Sequence, residues 1–216
     1  MAAKLFNIYL CILLSLSVYV LAIFKKTDPT SRFISLFIVL GGLTEIIGQA
    51  TIKLFKENTT VYNISTIIEW TLLTLYYTHA NSTLQKKHKG YFIASAGIAF
   101  GVVNLLVRNI HALESNFLFF ECMGILCLSL YSLYNLLKID NDNIRLNKKT
   151  NFWIPCILIL YQCGSLWSWE TYQYMKEDDL EATELLHCLL ISNSILTYIS
   201  LWIIYLLYPK MKRLYV

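Results

Sequence analysis

Charge is scarce in this chain. Asp, Glu, Lys and Arg make up 15% of the 216 residues, against about a quarter in an ordinary soluble domain. No Gly/Ser or Pro-rich linker occurs, and no connection between apolar runs exceeds about 15 residues, which excludes a separate soluble domain. Of the three prolines only Pro155 falls within an apolar run, so proline-hinged carrier helices are not supported. The six cysteines form no CxxC pair, which speaks against a zinc ribbon or a redox motif; as small apolar residues they are expected to pack. Neither HExxH, a GxSxG elbow nor a phosphate-cradling glycine loop is found. The last apolar run has no lysine before Lys210, so Schiff-base chemistry of the opsin kind is excluded and no retinal is expected; the sequence points to no other cofactor.

What fills the chain instead is apolar length. Hydrophobic residues account for 56% of it, and the mean hydropathy is +0.53. Seven runs, at 5–24, 33–54, 61–80, 91–107, 117–137, 152–172 and 185–207, are near the roughly 20 residues a helix needs to cross a bilayer. Barrel strands would be half as long and would alternate. The expected fold is a single all-α membrane bundle of seven transmembrane helices occupying residues 1–216. The first run is longer than a signal-peptide core and ends at Lys25-Lys26 without a small-residue cleavage site, so it reads as a retained helix.

The basic residues orient the bundle. Segments 25–32, 81–90 and 138–151, with the C-terminal tail, hold thirteen of the 18 Lys and Arg residues, and the other side holds five. By the positive-inside rule the N-terminus is outside and the C-terminus cytoplasmic. The net charge of +4 is therefore a topology signal and not a nucleic-acid footprint; Lys86-Lys87-His88-Lys89 suits anionic lipid headgroups. Acids gather on the opposite side, at Glu177, Asp178, Asp179, Glu181 and Glu184, where they make an outer vestibule attractive to cations or simply a well-solvated loop.

Within the runs, polar residues cluster by depth. Glu45, Glu69 and Asn193 fall near mid-membrane, with Gln49, Asn63, Asn104, Glu121, Glu170 and His187 nearer the outer face. Glu45 and Gln49 are one turn apart and share a face, flanked by Gly41 and Gly48. Gly97, Gly101 and Asn104 form one stripe, as do Glu121, Gly124, Leu128, Ser132 and Asn135, and Gln162, Ser165 and Trp169. Amides and hydroxyls at such places commonly serve as interhelical glue. A glutamate is different: with no Lys or Arg deep in any run, it must be protonated, hydrated or facing a cation. Trp70, beside Glu69, reads either as a wall for cation–π contact or as core. His111, Glu114, Glu121 and His187 carry zinc-compatible chemistry at the outer face.

The segment Tyr62-Asn63-Ile64 followed by Thr66-Ile67-Ile68-Glu69, after a helix bearing Glu45, resembles small uncharacterised seven-helix membrane proteins encoded in bacteria. The resemblance covers two helices; it implies a multi-pass protein of a bacterial inner membrane and carries no activity. Asn63 and Glu69 are six apart, as are His187 and Asn193, the spacing an inverted repeat would show, but the residue types around them do not match.

The expected function is a receptor-like or regulatory membrane protein. Its outward-opening polar pocket, formed by Glu45, Gln49, Asn63, Glu69, Trp70, Asn104, Glu121, Gln162, His187 and Asn193, would bind a small cationic or polar ligand or ion. It would act through a signalling partner protein docked on the basic cytoplasmic segments. One rival is a proton- or cation-coupled carrier using Glu45 and Glu69; another is a membrane-embedded lipid hydrolase with Glu121 and His187 as acid and base.

Overall fold

The computed structural model describes residues 2–86, 88–107, 115–139, 150–174 and 180–212, and among them every long element is a helix and no strand occurs. The helices are α1 (Ala2–Ile23), α2 (Pro29–Phe55), α3 (Thr59–Ala80), the short α4 (Ser82–Lys86), α5 (Lys89–Val107), α6 (Ser115–Ile139), α7 (Thr150–Tyr174) and α8 (Leu180–Lys212). Each of the seven apolar runs coincides with one long helix; the first passes α1 by one residue, into the single 3-10 turn Phe24–Lys26.

Local chemistry sets the ends. Asp28 caps α2, its carboxylate accepting the Ser31 N–H at 2.9 Å, and Pro29 follows at the first helical position. At the other end Lys56 turns into the left-handed region (φ 58°) and its N–H closes on the Ile52 carbonyl.

Among the described residues, five helices are long and apolar enough to cross a membrane: Ala2–Lys26, Pro29–Phe55, Lys89–Val107, Asn116–Lys138 and Thr183–Leu207. At 22 and 25 residues, α3 and α7 have the length but not the apolar character. Thr, Ser, Asn, Glu and Tyr dilute α3, and Gln162, Ser165 and Ser168 are buried in α7. The reason is visible for α3, which packs on both α2 and α5. A helix enclosed by neighbours does not need an apolar surface all round.

The burial pattern is that of a protein solvated by lipid. On α2, Thr44, Glu45 and Gly48 are buried, whereas Ile46 is 51% exposed beside Glu45 at 8%. On α1, Ser17 is buried and Val18 and Leu21 face outward. Apolar residues displayed outside and polar ones inside are unstable in water and are the stable arrangement in hydrocarbon. All six cysteines are free thiols; Cys122 packs in the interior, while Cys11, Cys127 and Cys163 lie on exposed faces.

The chain divides into two compact units, Leu13–Ile125 and Met1–Ile12 with Leu126–Val216. The first is a stack of antiparallel helices. Ser17 Oγ donates to the Leu13 and Ile38 carbonyls, at 2.8 and 3.1 Å, and a Cβ at Gly42 would stand 2.7 Å from that oxygen. It is thus Gly42, the neighbour of Gly41, that lets α1 approach α2. On α5 the buried residues are all small, Gly90, Ala94, Gly97 and Gly101, spaced four, three and four apart. Opposite them α3 presents Thr78 against Gly90, Trp70 against Gly97 and Ile67 against Gly101. Small residues on one helix receive large ones from the other, so dispersion contacts hold the pair where lipid offers no hydrophobic drive.

In the second unit α7 and α8 pack together. Gly164 receives the Asn193 side chain, and Tyr9 lies 5.9 Å, centroid to centroid, from Tyr198.

Candidate functional site

Most polar groups of the helices satisfy themselves. Ser35, Thr66, Thr71, Thr78, Ser168 and Thr197, among others, donate to the carbonyl one turn back. That bond removes the cost of a hydroxyl in an apolar setting and leaves it no further role. A carboxylate has no proton to donate and cannot use this solution.

The ten candidate residues divide between the units. Glu45, Gln49, Asn63, Glu69, Trp70, Asn104 and Glu121 belong to the first; Gln162, His187 and Asn193 belong to the second. In the second unit Asn193 Nδ2 donates to the Tyr161 carbonyl at 3.0 Å across the α7–α8 contact, Gln162 is buried, and His187 is exposed. Asn193 is interhelical glue.

In the first unit each glutamate has a different setting. Glu45 Oε2 accepts a hydrogen bond from the Tyr62 hydroxyl at 3.0 Å. Tyr62 crosses to α2 over Gly48, where an added Cβ would stand 3.3 Å from the phenol oxygen, and Thr44 and Ser65 exchange a 2.6 Å bond on the same interface. Gln49 is half-buried one turn on, and Asn63, next to Tyr62, is buried.

Glu69 of α3 and Glu121 of α6 each adjoin a residue of one aromatic contact, that of Trp70 with Phe120. Trp70, 1% exposed, donates from Nε1 to the Ala94 carbonyl at 3.3 Å, fills the space above Gly97, and lies across Gly124 of α6, where a Cβ would stand 2.7 Å from its Cη2. Its ring meets Phe120 at 4.9 Å, and Phe120 meets Phe100 at the same distance. With Trp70 locked against Gly124 and Phe120, the residues beside them, Glu69 and Glu121, are brought to one place. Trp70 thus has packed surfaces on two sides, and its role in the fold is to join α3, α5 and α6.

Glu121 is 4% exposed, and its Oε1 is buried without a hydrogen-bond partner among the described residues. Nδ2 of Asn104, one turn beyond Gly101 on the buried stripe of α5, is likewise buried and unpartnered. An unmet carboxyl oxygen in this setting costs about 1–3 kcal/mol or more. The α3–α5–α6 junction therefore holds two carboxyls, an orphan acceptor and aromatic walls, chemistry that attracts a proton or a cation.

Tyr62, Phe120 and Phe117, whose ring lies 6.0 Å from that of Phe120, escaped the sequence reading of the site, although Gly124 was read on the stripe of Glu121. Tyr62 is seven residues before Glu69, two turns on the same face of α3, and Phe117, Phe120, Glu121 and Gly124 share one face of α6; those spacings are the signals that could have found them.

For the zinc-compatible set, His111 and Glu114 lie outside the described residues, as do the acids at 177–179, and Glu121 and His187 belong to different units. Among the described residues no three His, Cys, Asp or Glu side chains are grouped to hold a metal. The side chains of Trp169 and Glu181 also fall outside the description; Glu184 is exposed.

Fold and site together define a class, an all-helical protein with several candidate membrane spans and acidic residues in its interior. No protein family, curated protein or solved structure matches the chain.

Proposed function

We propose that this chain is a seven-helix membrane protein, N-terminus outside and C-terminus cytoplasmic, whose buried acidic centre binds a small cationic species and whose state is read by a partner, in the manner of a receptor or regulator. The observation that carries the reading is Glu121 Oε1, buried and unmet among the described residues, on a helix turn packed through Phe120 against Trp70, the neighbour of Glu69. Counting α3 and α7 as spans, despite their polarity, is supported by their lengths of 22 and 25 residues and by the enclosure of α3 between α2 and α5. The thirteen-to-five bias of basic residues supports the orientation. Glu121 lies six residues from the start of α6 and Glu69 ten from the start of α3, about 9 and 15 Å at 1.5 Å per residue, so the centre is nearer the outer ends of both helices.

A proton- or cation-coupled carrier is the second reading. The Glu45–Tyr62 bond favours it, because it places another carboxyl on the same face of α3 as Glu69, two turns away.

Glu69→Gln and Glu121→Gln keep shape and hydrogen bonding while removing charge. Both variants are expected to fold with wild-type or greater thermal stability and to lose the dependence of that stability on pH, between about pH 5 and 8, and on added sodium or small amines. Strong destabilisation at every pH would make the carboxyls structural and end the functional reading. Gradient-driven uptake by reconstituted vesicles selects the carrier; binding without flux selects the receptor.

A further inference from the structure

At the end of the first unit opposite the acidic centre, three connections converge through a chain of ring contacts. Arg32, in the first turn of α2, sits over the Phe24 ring of the 3-10 turn with its guanidinium carbon 5.7 Å from the centroid. Its neighbour Phe33 stacks on His79 of α3 at 5.1 Å and 23°. His79 Nε2 and the Tyr91 hydroxyl of α5 are 3.3 Å apart, and Tyr91 meets His88 at 6.0 Å. The contacts tie the 24–32 segment to the α3–α4–α5 turn, so the exposed Lys25, Lys26, Lys86 and Lys89 lie with Arg32 at one end of the unit. Asp28 is the sole acid in segments 24–33 and 79–91, and it caps α2 by accepting the Ser31 N–H.

Arg32 is more than a solvated charge. Its Nε is buried and has no acceptor among the described residues. Anchored beside Phe24, the half-buried Arg32 ends in a planar guanidinium fork, the geometry that pairs with two oxygens of a phosphate. None of the described residues supplies the acceptor; this end of the unit is where helix ends meet headgroups, and the lysines there add a field for negative charge. We propose that this end of the unit is a docking surface for the headgroup phosphate of anionic phospholipids, with Arg32 as the recognising group and Lys25, Lys26, Lys86 and Lys89 as its electrostatic surround. The proposal rests on the helices crossing a bilayer and is independent of any ligand at the acidic centre.

The test uses the full chain in nanodiscs of phosphatidylcholine alone or with about one third phosphatidylglycerol, reading lipid retained by native mass spectrometry and the thermal midpoint. Each basic group near a surface gives about a fivefold preference for anionic lipid. Wild type should retain phosphatidylglycerol preferentially and gain several degrees, and high salt should abolish both. Lys25→Gln/Lys26→Gln/Lys86→Gln/Lys89→Gln should lose at least about tenfold in retention, Arg32→Gln should lose the tightly held lipid, and Lys4→Gln/Lys53→Gln should behave as wild type. Should a variant be unstable in neutral lipid, the salt dependence of the wild type decides. Equal retention by the quadruple variant and the control would overturn the proposal. So would salt-insensitive retention by wild type, or the same protection from inorganic phosphate or a soluble acidic peptide.

Discussion

Two interfaces of this molecule are built the same way and end differently. In α7–α8, Gly164 opens a space that Asn193 enters, and the amide finishes on the Tyr161 carbonyl. In α3–α5–α6, Gly97 and Gly124 open spaces that Trp70 enters, and Oε1 of the neighbouring Glu121 finds no hydrogen-bond partner among the described residues. An amide brings both donors and acceptors and can close its own account across a helix pair. A carboxylate brings acceptors alone and needs a donor, as Glu45 has in the Tyr62 hydroxyl, or else a proton or a cation. Residues that look alike in a hydropathy plot thus separate into glue and candidate chemistry once their partners are known.

The largest expected effect comes from Trp70→Ala, which removes the side chain joining three helices. A loss of about 3–5 kcal/mol in unfolding free energy is expected, with the response to cations and pH lost as well. Unfolding in detergent, compared with wild type, measures it; a loss below about 1 kcal/mol would mean that the α3–α5–α6 junction does not depend on the indole. Asn193→Ala sharpens the comparison from the other side. It should cost about 1 kcal/mol and leave the pH and cation response at the wild-type level. If that response disappears instead, Asn193 belongs to the functional centre and the contrast between the interfaces fails. Smallest is Tyr62→Phe, which deletes the hydroxyl bonded to Glu45 and nothing else. About 0.5–1.5 kcal/mol should be lost, read by thermal unfolding, and a double-mutant cycle with Glu45→Leu, which removes the acceptor, should recover most of that value as coupling. An additive cycle would show that the bond contributes nothing to stability.

Helix positions were legible in the sequence because each rests on local pattern. A run such as 91–107 is apolar over its whole length, and the structure places α5 at Lys89–Val107. The α5 stripe of Gly97, Gly101 and Asn104 was legible for the same reason, since residues three and four apart must share a face. Which carboxyl meets which was not. Glu45 and Glu69 have similar depths and read as a pair; depth named neither the Tyr62 hydroxyl that bonds Glu45 nor the buried, unmet oxygen of Glu121. Depth is a one-dimensional quantity, and helix rotation and neighbour order are not contained in it.

Hydropathy and period alone determined that this chain is helical, lipid-facing and acidic in its interior, because the cost of exposed backbone in hydrocarbon leaves few alternatives. Only the tertiary structure decided that Asn193 is closed off by a backbone carbonyl while Glu121 keeps an unmet oxygen. The two outcomes depend on which helix lies across each residue and how closely glycine lets it approach. Those are long-range packing choices, set by the fit of Trp70 over Gly97 and Gly124 and of Asn193 over Gly164, and no local pattern encodes them.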